Sequence, residues 1–258
     1  MRASWSGHFR IGNIMMPVKL YSATRSTGPQ FIQLHAHDHS PVTRVTVCLK
    51  DGEELSEKEL IRAAEHEGTY VELSKSDIER VGAFERNIAV RQFTYASEIE
   101  PIYYDKPYYM APDTGGEQAY AILRRAFEKT GKVAIVTFLF YDRERLGMVS
   151  VRDSLLVLQT LRFAEEIVPR SEVRTPSLPQ PVPDQVSTAA RLIEHYSASF
   201  HAEDYRNQQQ DHINELIERK SKGLAPRKQQ RVAAETTPSD EITSRMKTML
   251  GEKPKALQ

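Results

Sequence analysis

At 258 residues, 40% of them hydrophobic and 27% charged, the chain is long enough to bury one sizeable core with appendages, or two small domains. Thirty-five basic side chains balance 35 acidic ones, so the basic surplus usual in nucleic-acid binders is missing and any duplex-binding surface must be made by segregating charge. No apolar region follows Met1–Phe9, no stretch has the length of a membrane span, and a single cysteine, Cys48, rules out an intrachain disulfide, so the expected location is a reducing cytoplasm.

Residues 1–167 read as strand-rich. Apolar runs fall around 11–21, 42–49, 69–73, 88–95, 133–141 and 146–161, and short strands separated by turns predict a barrel or sandwich. Two helical patterns interrupt them. Ser56 followed by Glu59 is a capping box and starts a helix expected over 56–65. Further on, Pro107 and Pro112 bracket Tyr108, Tyr109 and Met110 in an extended aromatic segment, and Asp113-Thr114-Gly115-Gly116 supplies a turn. From Glu117 to Lys129 the positions Ala119, Ile122, Leu123, Ala126 and Phe127 recur at helical spacing, with Gly131 as the stop. Val133–Phe140 then has the β-branched and aromatic content of a buried strand.

Residues 168–185 hold Pro169, Pro176, Pro179, Pro181 and Pro183, a density that predicts an extended linker. Residues 186–222 carry two helical patterns. The first, near 187–200, aligns Ala189, Leu192, Ile193, Tyr196 and Phe200; the second, near 202–220, offers Ile213, Leu216 and Ile217. From Lys222 onward eight basic side chains face four acidic ones, making the tail +4 and leaving residues 1–221 at −4. Residues 223–258 are expected to form a disordered basic tail. Ile242, Met246, Met249 and Leu250 nevertheless share one face of a short amphipathic pattern, which suits a partner-binding helix as well as it suits a solvated tail.

No constellation assembles an active site. His35, His37 and His39 alternate as zinc ligands in a strand would, yet Asp38, Ser40 and Pro41 around them favour a loop, and no fourth ligand follows at the usual spacing. Asp113-Thr114-Gly115 has no second such triplet to share a proton with, and Thr130-Gly131-Lys132 lacks the earlier glycine of a phosphate-binding loop. The aromatic residues sit mostly at strand positions and are expected in the core rather than as stacking platforms. No metal, cofactor or small-molecule substrate is implied.

Five segments occur in a telling order: MRASWSG at 1–7, GNIMMPVKLYSAT at 12–24, FIQLHAHD at 31–38, the stretch 101–140 described above, and RERLGMVSVRDSLLVLQTLRFAEEI at 143–167. Together they resemble the Ku family of DNA-end-binding proteins in its bacterial form, over roughly residues 1–222. The resemblance implies a mixed, β-rich fold: a Ku-type β-barrel core with inserted helices at 1–167, the linker, and a C-terminal helical arm. It also implies a homodimer that closes as a ring around double-stranded DNA, works in non-homologous end joining, and recruits a multidomain ATP-dependent ligase, DNA ligase D. Only the resemblance lifts Arg10, Lys19, Arg25, Arg44, Lys50, Lys132, Arg143 and Arg145, with Arg152 beside them, as DNA-binding residues, since a lone exposed arginine ordinarily serves solubility. Arg143 and Arg145 fall between two strand-like runs, hence in an expected hairpin loop.

The chain departs from the family pattern in three places. Cys48-Leu49-Lys50-Asp51 stands where many relatives show a Cys-x-x-Cys pair, so Cys48 reads as a small buried hydrophobe in a strand. His201-Ala202 replaces the Asp-Pro that opens the second arm helix, which weakens its start by about 0.5–2 kcal/mol. His37 stands where lysine is frequent. Two alternatives remain: a small metal-dependent hydrolase using His35, His37, His39 and Asp38, and a scaffold that has lost DNA binding.

Overall fold

The computed structural model describes residues 1–74, 76–77, 87–141, 143–225, 237–238 and 241–251. Strands β1 (Trp5–Ile11) and β2 (Ile14–Ser22) form a hairpin whose turn begins with Gly12 at φ 56°. Four short strands follow: β3 (Thr46–Val47), β4 (Glu54–Leu55), β5 (Ala63–His66) and β6 (Thr69–Glu72). Then come β7 (Asn87–Thr94), β8 (Tyr104–Pro112), helix α1 (Glu117–Thr130), β9 (Val133–Phe140), β10 (Arg143–Arg152) and β11 (Leu155–Leu161). Seven strands close in the order β1-β2-β8-β11-β10-β9-β7. Only the closing β1–β7 pair is parallel. Closure leaves no edge in this sheet. The β-rich barrel core expected from the sequence is present.

Alternation along the strands sorts the side chains. On β9, Ala134, Val136, Phe138 and Phe140 pack inside the barrel with Phe9, Met16, Val18, Leu20, Ile88, Met110, Val149, Leu156 and Leu158. The opposite face of β9 and β10 is also apolar. Val133, Met148 and Leu161 form a second cluster there, with Ile99, Tyr103, Ile135 and Leu146 packed against it. Burial on both faces explains why β9 reads as a continuous apolar run. The wall is tight at Gly147, where a Cβ would come within 2.9 Å of Leu158 Cδ1 and 3.2 Å of Val136 Cγ2.

α1 packs against β10, and Gly131 ends it at φ 64° with its N–H donating to Phe127 O. The packed face differs from the expected one. Ala119, Tyr120, Leu123 and Phe127 meet the core, whereas Ile122 and Ala126 are exposed. The buried Tyr120 decides this orientation. Its hydroxyl donates to Met110 O at 2.8 Å and accepts from Leu156 N–H at 2.8 Å, tying α1 to β8 and β11. Burial pushes the phenol above its ordinary pKa, so it stays a donor at neutral pH.

The helix expected at 56–65 does not form. Glu59 reaches back to Ser56 N–H at 2.9 Å, as the capping box requires, but only a single turn over Glu57–Glu59 follows. Ala63–His66 instead pairs with Thr69–Glu72 around Glu67 and Gly68, both at positive φ, because a two-residue turn with glycine specifies a hairpin more strongly than one cap specifies a helix. Cys48 is likewise not buried in a strand. It is half-buried just after β3, where its N–H and C=O close the β3–β4 turn through Glu53 and Gly52.

Residues 1–27 and 32–172 form one compact unit, and residues 28–31 with 173–258 form another. In the second, α2 (Pro183–Tyr196) starts before the expected 187, since Pro183 is pre-set for a first helical turn. α3 (Gln208–Ser221) starts later than 202: the chain makes one turn at Ala202–Asp204 and then caps α3 with Asn207, whose side chain accepts from Gln210 N–H at 3.1 Å. A cap is therefore present, six residues beyond His201. Within the expected basic tail, α4 (Ile242–Gly251) packs against α2, with Lys247 Nζ 3.6 Å from Asp184 Oδ2. The tail residues 226–236, 239–240 and 252–258 lie outside the described ones.

Candidate nucleic-acid interface

The eight cations singled out in the sequence fall into groups set by the elements that carry them. Arg10 and Lys19 project from the outer side of the β1–β2 hairpin, because Phe9, Val18 and Leu20 beside them point inward. Arg10 is exposed. Lys19 is engaged: its Nζ lies 2.7 Å from Asp113 Oδ1. That hydrogen bond is the main cause of a raised Lys19 pKa and of an Asp113 carboxyl held below the usual range, with Thr114 N–H assisting the latter. A phosphate at Lys19 would have to compete with Asp113. Beside the pair an open cavity of about 570 Å³ is lined by Ser6, His8, Met15, Pro17, Asn87 and Asp113, without a lysine or arginine.

Arg25, Arg44 and Lys50 belong to the excursion between β2 and β7. All three are exposed; Arg44 Nη2 donates to Gln33 Oε1 at 3.3 Å, and Lys50 sits in the β3–β4 turn. Lys132, between α1 and β9, lies 5.5 Å from the Tyr95 ring centroid, a cation–π distance. Arg152 ends β10 next to Asp153, 3.8 Å away.

Arg143 and Arg145 are the pair that the fold brings together. They lie within β10, not in a loop, and pair across to Phe140 and Phe138. Both rings belong to the interior, so the two arginines extend the inward-facing row of Gly147 and Val149 to the barrel mouth where β9 ends. Arg145 is half-buried and Arg143 exposed. Tyr108 is at the same mouth: burial chiefly raises its phenol pKa, Tyr141 and Asp105 add to that, and Arg145 opposes it. Asp105 is itself paired with Arg162 at 3.2 Å.

The aromatic residues divide differently from expectation. Phe9, Tyr120, Phe127, Phe138 and Phe140 are core, but Tyr70, Tyr141, Phe200 and Tyr205 are largely exposed. Composition carries no signal for this difference; for Tyr141 the clue was the two-residue gap between Phe140 and Arg143, each at a strand end. The histidine cluster is a loop. His35 Nδ1 is 2.9 Å from Asp38 Oδ1, and Asp38 also accepts from Ser40. Among the described residues, no group of three or more His, Cys, Asp and Glu is placed to hold a metal ion. Among the same residues no helix is long and apolar enough to cross a membrane.

A barrel of this topology is what the family comparison recognises, for the Ku70/Ku80 beta-barrel domain matches residues 10–188. The chain belongs to the Ku family. Proteins named non-homologous end joining protein Ku are similar to it along most of its length. That of Symbiobacterium thermophilum is 34% identical over 88% of this chain and 57% of its own. The Archaeoglobus fulgidus protein is 32% identical over 86% of this chain and 89% of its own. For the Bacillus subtilis protein the figures are 29%, 88% and 76%. The chain thus spans little more than half of the Symbiobacterium Ku and a larger share of the other two. The family match runs through the barrel and into α2, so it covers Arg10 and Lys132 as well as the arginine pair at the mouth.

Proposed function

We propose that this Ku-family chain binds ends of double-stranded DNA without reading sequence, as a homodimeric ring acting in non-homologous end joining, and that it recruits and stimulates a multidomain ATP-dependent DNA ligase. Membership of a family whose similar members are named for end joining supports the process. One structural observation supports the dimer above all others. Of residues 32–74 none is buried, only Cys48 and Leu55 are half-buried, and Ile32, Leu49, Ile61 and Tyr70 are among the most exposed apolar side chains of the chain. A segment with that much uncovered apolar surface calls for a second chain, and two-fold symmetry lets the same excursion serve on both subunits.

A closed ring admits duplex only through an end, which makes topology the specificity element in place of base contacts. Arg10, Arg25, Arg44, Lys50, Lys132, Arg143 and Arg145, with Lys19 released from Asp113, supply phosphate contacts, and affinity falls steeply with salt. The helical arm at 186–222 or the amphipathic tail segment carrying Ile242, Met246, Met249 and Leu250 takes up the ligase, and the basic residues after 222 tune affinity without creating it. The protein catalyses no reaction. A mobility shift with linear and covalently closed duplexes of identical sequence tests this reading: linear DNA is retarded, the closed circle is not, and equal affinity for both refutes the ring.

A further inference from the structure

The hairpin connections of the barrel follow turn chemistry with one exception. Gly12 opens the β1–β2 connection at φ 56°, and Asp153 and Ser154 make the β10–β11 connection at φ 48° and 64°. Residues that are small or carry a short polar side chain tolerate this left-handed backbone best. Between β9 and β10, Phe140 pairs with Arg143, and the first residue of the two-residue connection is Tyr141, at φ 51°. A large side chain in that backbone is strained, and burial does not compensate, because Tyr141 is 76% exposed. The ring is still held. Phe140 meets it edge-on, with centroids 4.6 Å apart at 77°, and Phe140 is anchored in turn by Phe138 at 6.0 Å and Tyr108 at 5.2 Å. An outward ring braced on the core therefore stands at the barrel mouth to which the β10 row of Arg143 and Arg145 extends, close enough that Tyr141 and Arg145 both act on the Tyr108 phenol, while the Asp105 carboxylate there is paired with Arg162.

A braced exposed ring at the same mouth as two cations matches the chemistry of single-stranded nucleic acid: the ring offers a face to any base, and the guanidinium groups take the flanking phosphates. We propose that Tyr141 is a base-stacking residue for unpaired nucleotides at a DNA end, with Arg143 and Arg145 holding the adjoining phosphates. This rests on the end-binding reading and deepens it, since duplex threading alone gives no reason to prefer an overhang. Stacking does not depend on base identity, so the preference is for unpaired ends of any sequence.

The test compares full-length wild type, Tyr141→Asn and Tyr141→Phe by fluorescence anisotropy on one duplex, blunt or with a short oligothymidine overhang. Wild type favours the overhang by about five-fold or more, the order expected for one stacked base. Tyr141→Phe keeps that ratio. Tyr141→Asn brings it to about one while melting no lower than wild type, since asparagine suits the turn better than tyrosine. An unchanged ratio in Tyr141→Asn, or no overhang preference in wild type, overturns the stacking role and leaves end binding standing. If wild type binds linear and closed duplexes equally, the end-binding reading fails, and this inference fails with it.

Discussion

The barrel and the excursion between β2 and β7 solve opposite problems. Seven strands close on themselves, bury an interior, and cover a second cluster outside the wall at Val133, Met148 and Leu161. Residues 32–74 hold two small hairpins and an isolated bridge between Leu34 and Pro41, and bury nothing. Isolated two-stranded hairpins are marginal in water, so apolar content alone does not make a core; closure does. The barrel is complete in one chain, and in the proposed dimer a second chain covers the excursion.

Substitutions of equal kind should therefore separate the two regions. Phe138→Ala, in the barrel interior, should cost about 3–5 kcal/mol, read as a large drop in thermal midpoint. Leu49→Ser with Ile61→Ser should leave the barrel's midpoint almost unmoved yet convert the dimer, sedimenting near twice the 29.4 kDa chain mass, into monomer. A wild-type chain that is a folded monomer at micromolar concentration would remove the contrast altogether.

A smaller effect sharpens the comparison at the barrel mouth. Arg143→Glu with Arg145→Glu should weaken duplex binding several-fold, equally for all sequences, and flatten the salt dependence by about one to two phosphate contacts. Titrations at several salt concentrations measure this, with sedimentation as the check that the dimer persists. Wild-type binding by an intact double variant would place the channel elsewhere.

The smallest effect concerns the Lys19–Asp113 pair on the barrel wall. Asp113 has a lowered folded pKa, so its stabilisation is present above the ordinary carboxylate value and disappears as pH falls through the lowered one. Lys19 has a raised pKa, so its share is present below the ordinary lysine value and is lost as pH rises through the raised one. Across the neutral range both hold. Asp113→Asn should lower the thermal midpoint slightly near neutral pH, and the difference from wild type should shrink as pH falls through the lowered carboxyl value and vanish once the carboxylate is protonated in both states.

Much of this architecture was legible before any coordinates. The run Val133–Phe140, the turn at Asp113–Gly116 and the stop at Gly131 each depend on nearest neighbours in the chain, and each formed as read. The misreadings share a cause. Counting apolar residues gives α1 a face that the fold does not use, because the hydroxyl of Tyr120 needs two backbone partners on different strands, and that need turns the helix. The helix at 56–65 lost to a hairpin whose partner strand was still to come, and α3 found its cap at Asn207 rather than at the expected position. Of the candidate cations, Arg143 and Arg145 read as loop residues, and only the β10–β9 register puts them on one face of a strand; the tie of Lys19 to Asp113 spans 94 positions and has no sequence signal either.

The sequence by itself determined that this is a β-rich Ku-family chain with a helical C-terminal part, because alternation, turn residues and family segments are local patterns. Tertiary structure alone decided which faces those elements present. Closure of β1 onto β7 placed Phe138 and Phe140 inside, carried Arg143 and Arg145 along the same row to the mouth, and left Tyr141 standing outside on a strained turn. The side a strand residue occupies follows from register, and register is fixed only when distant strands meet.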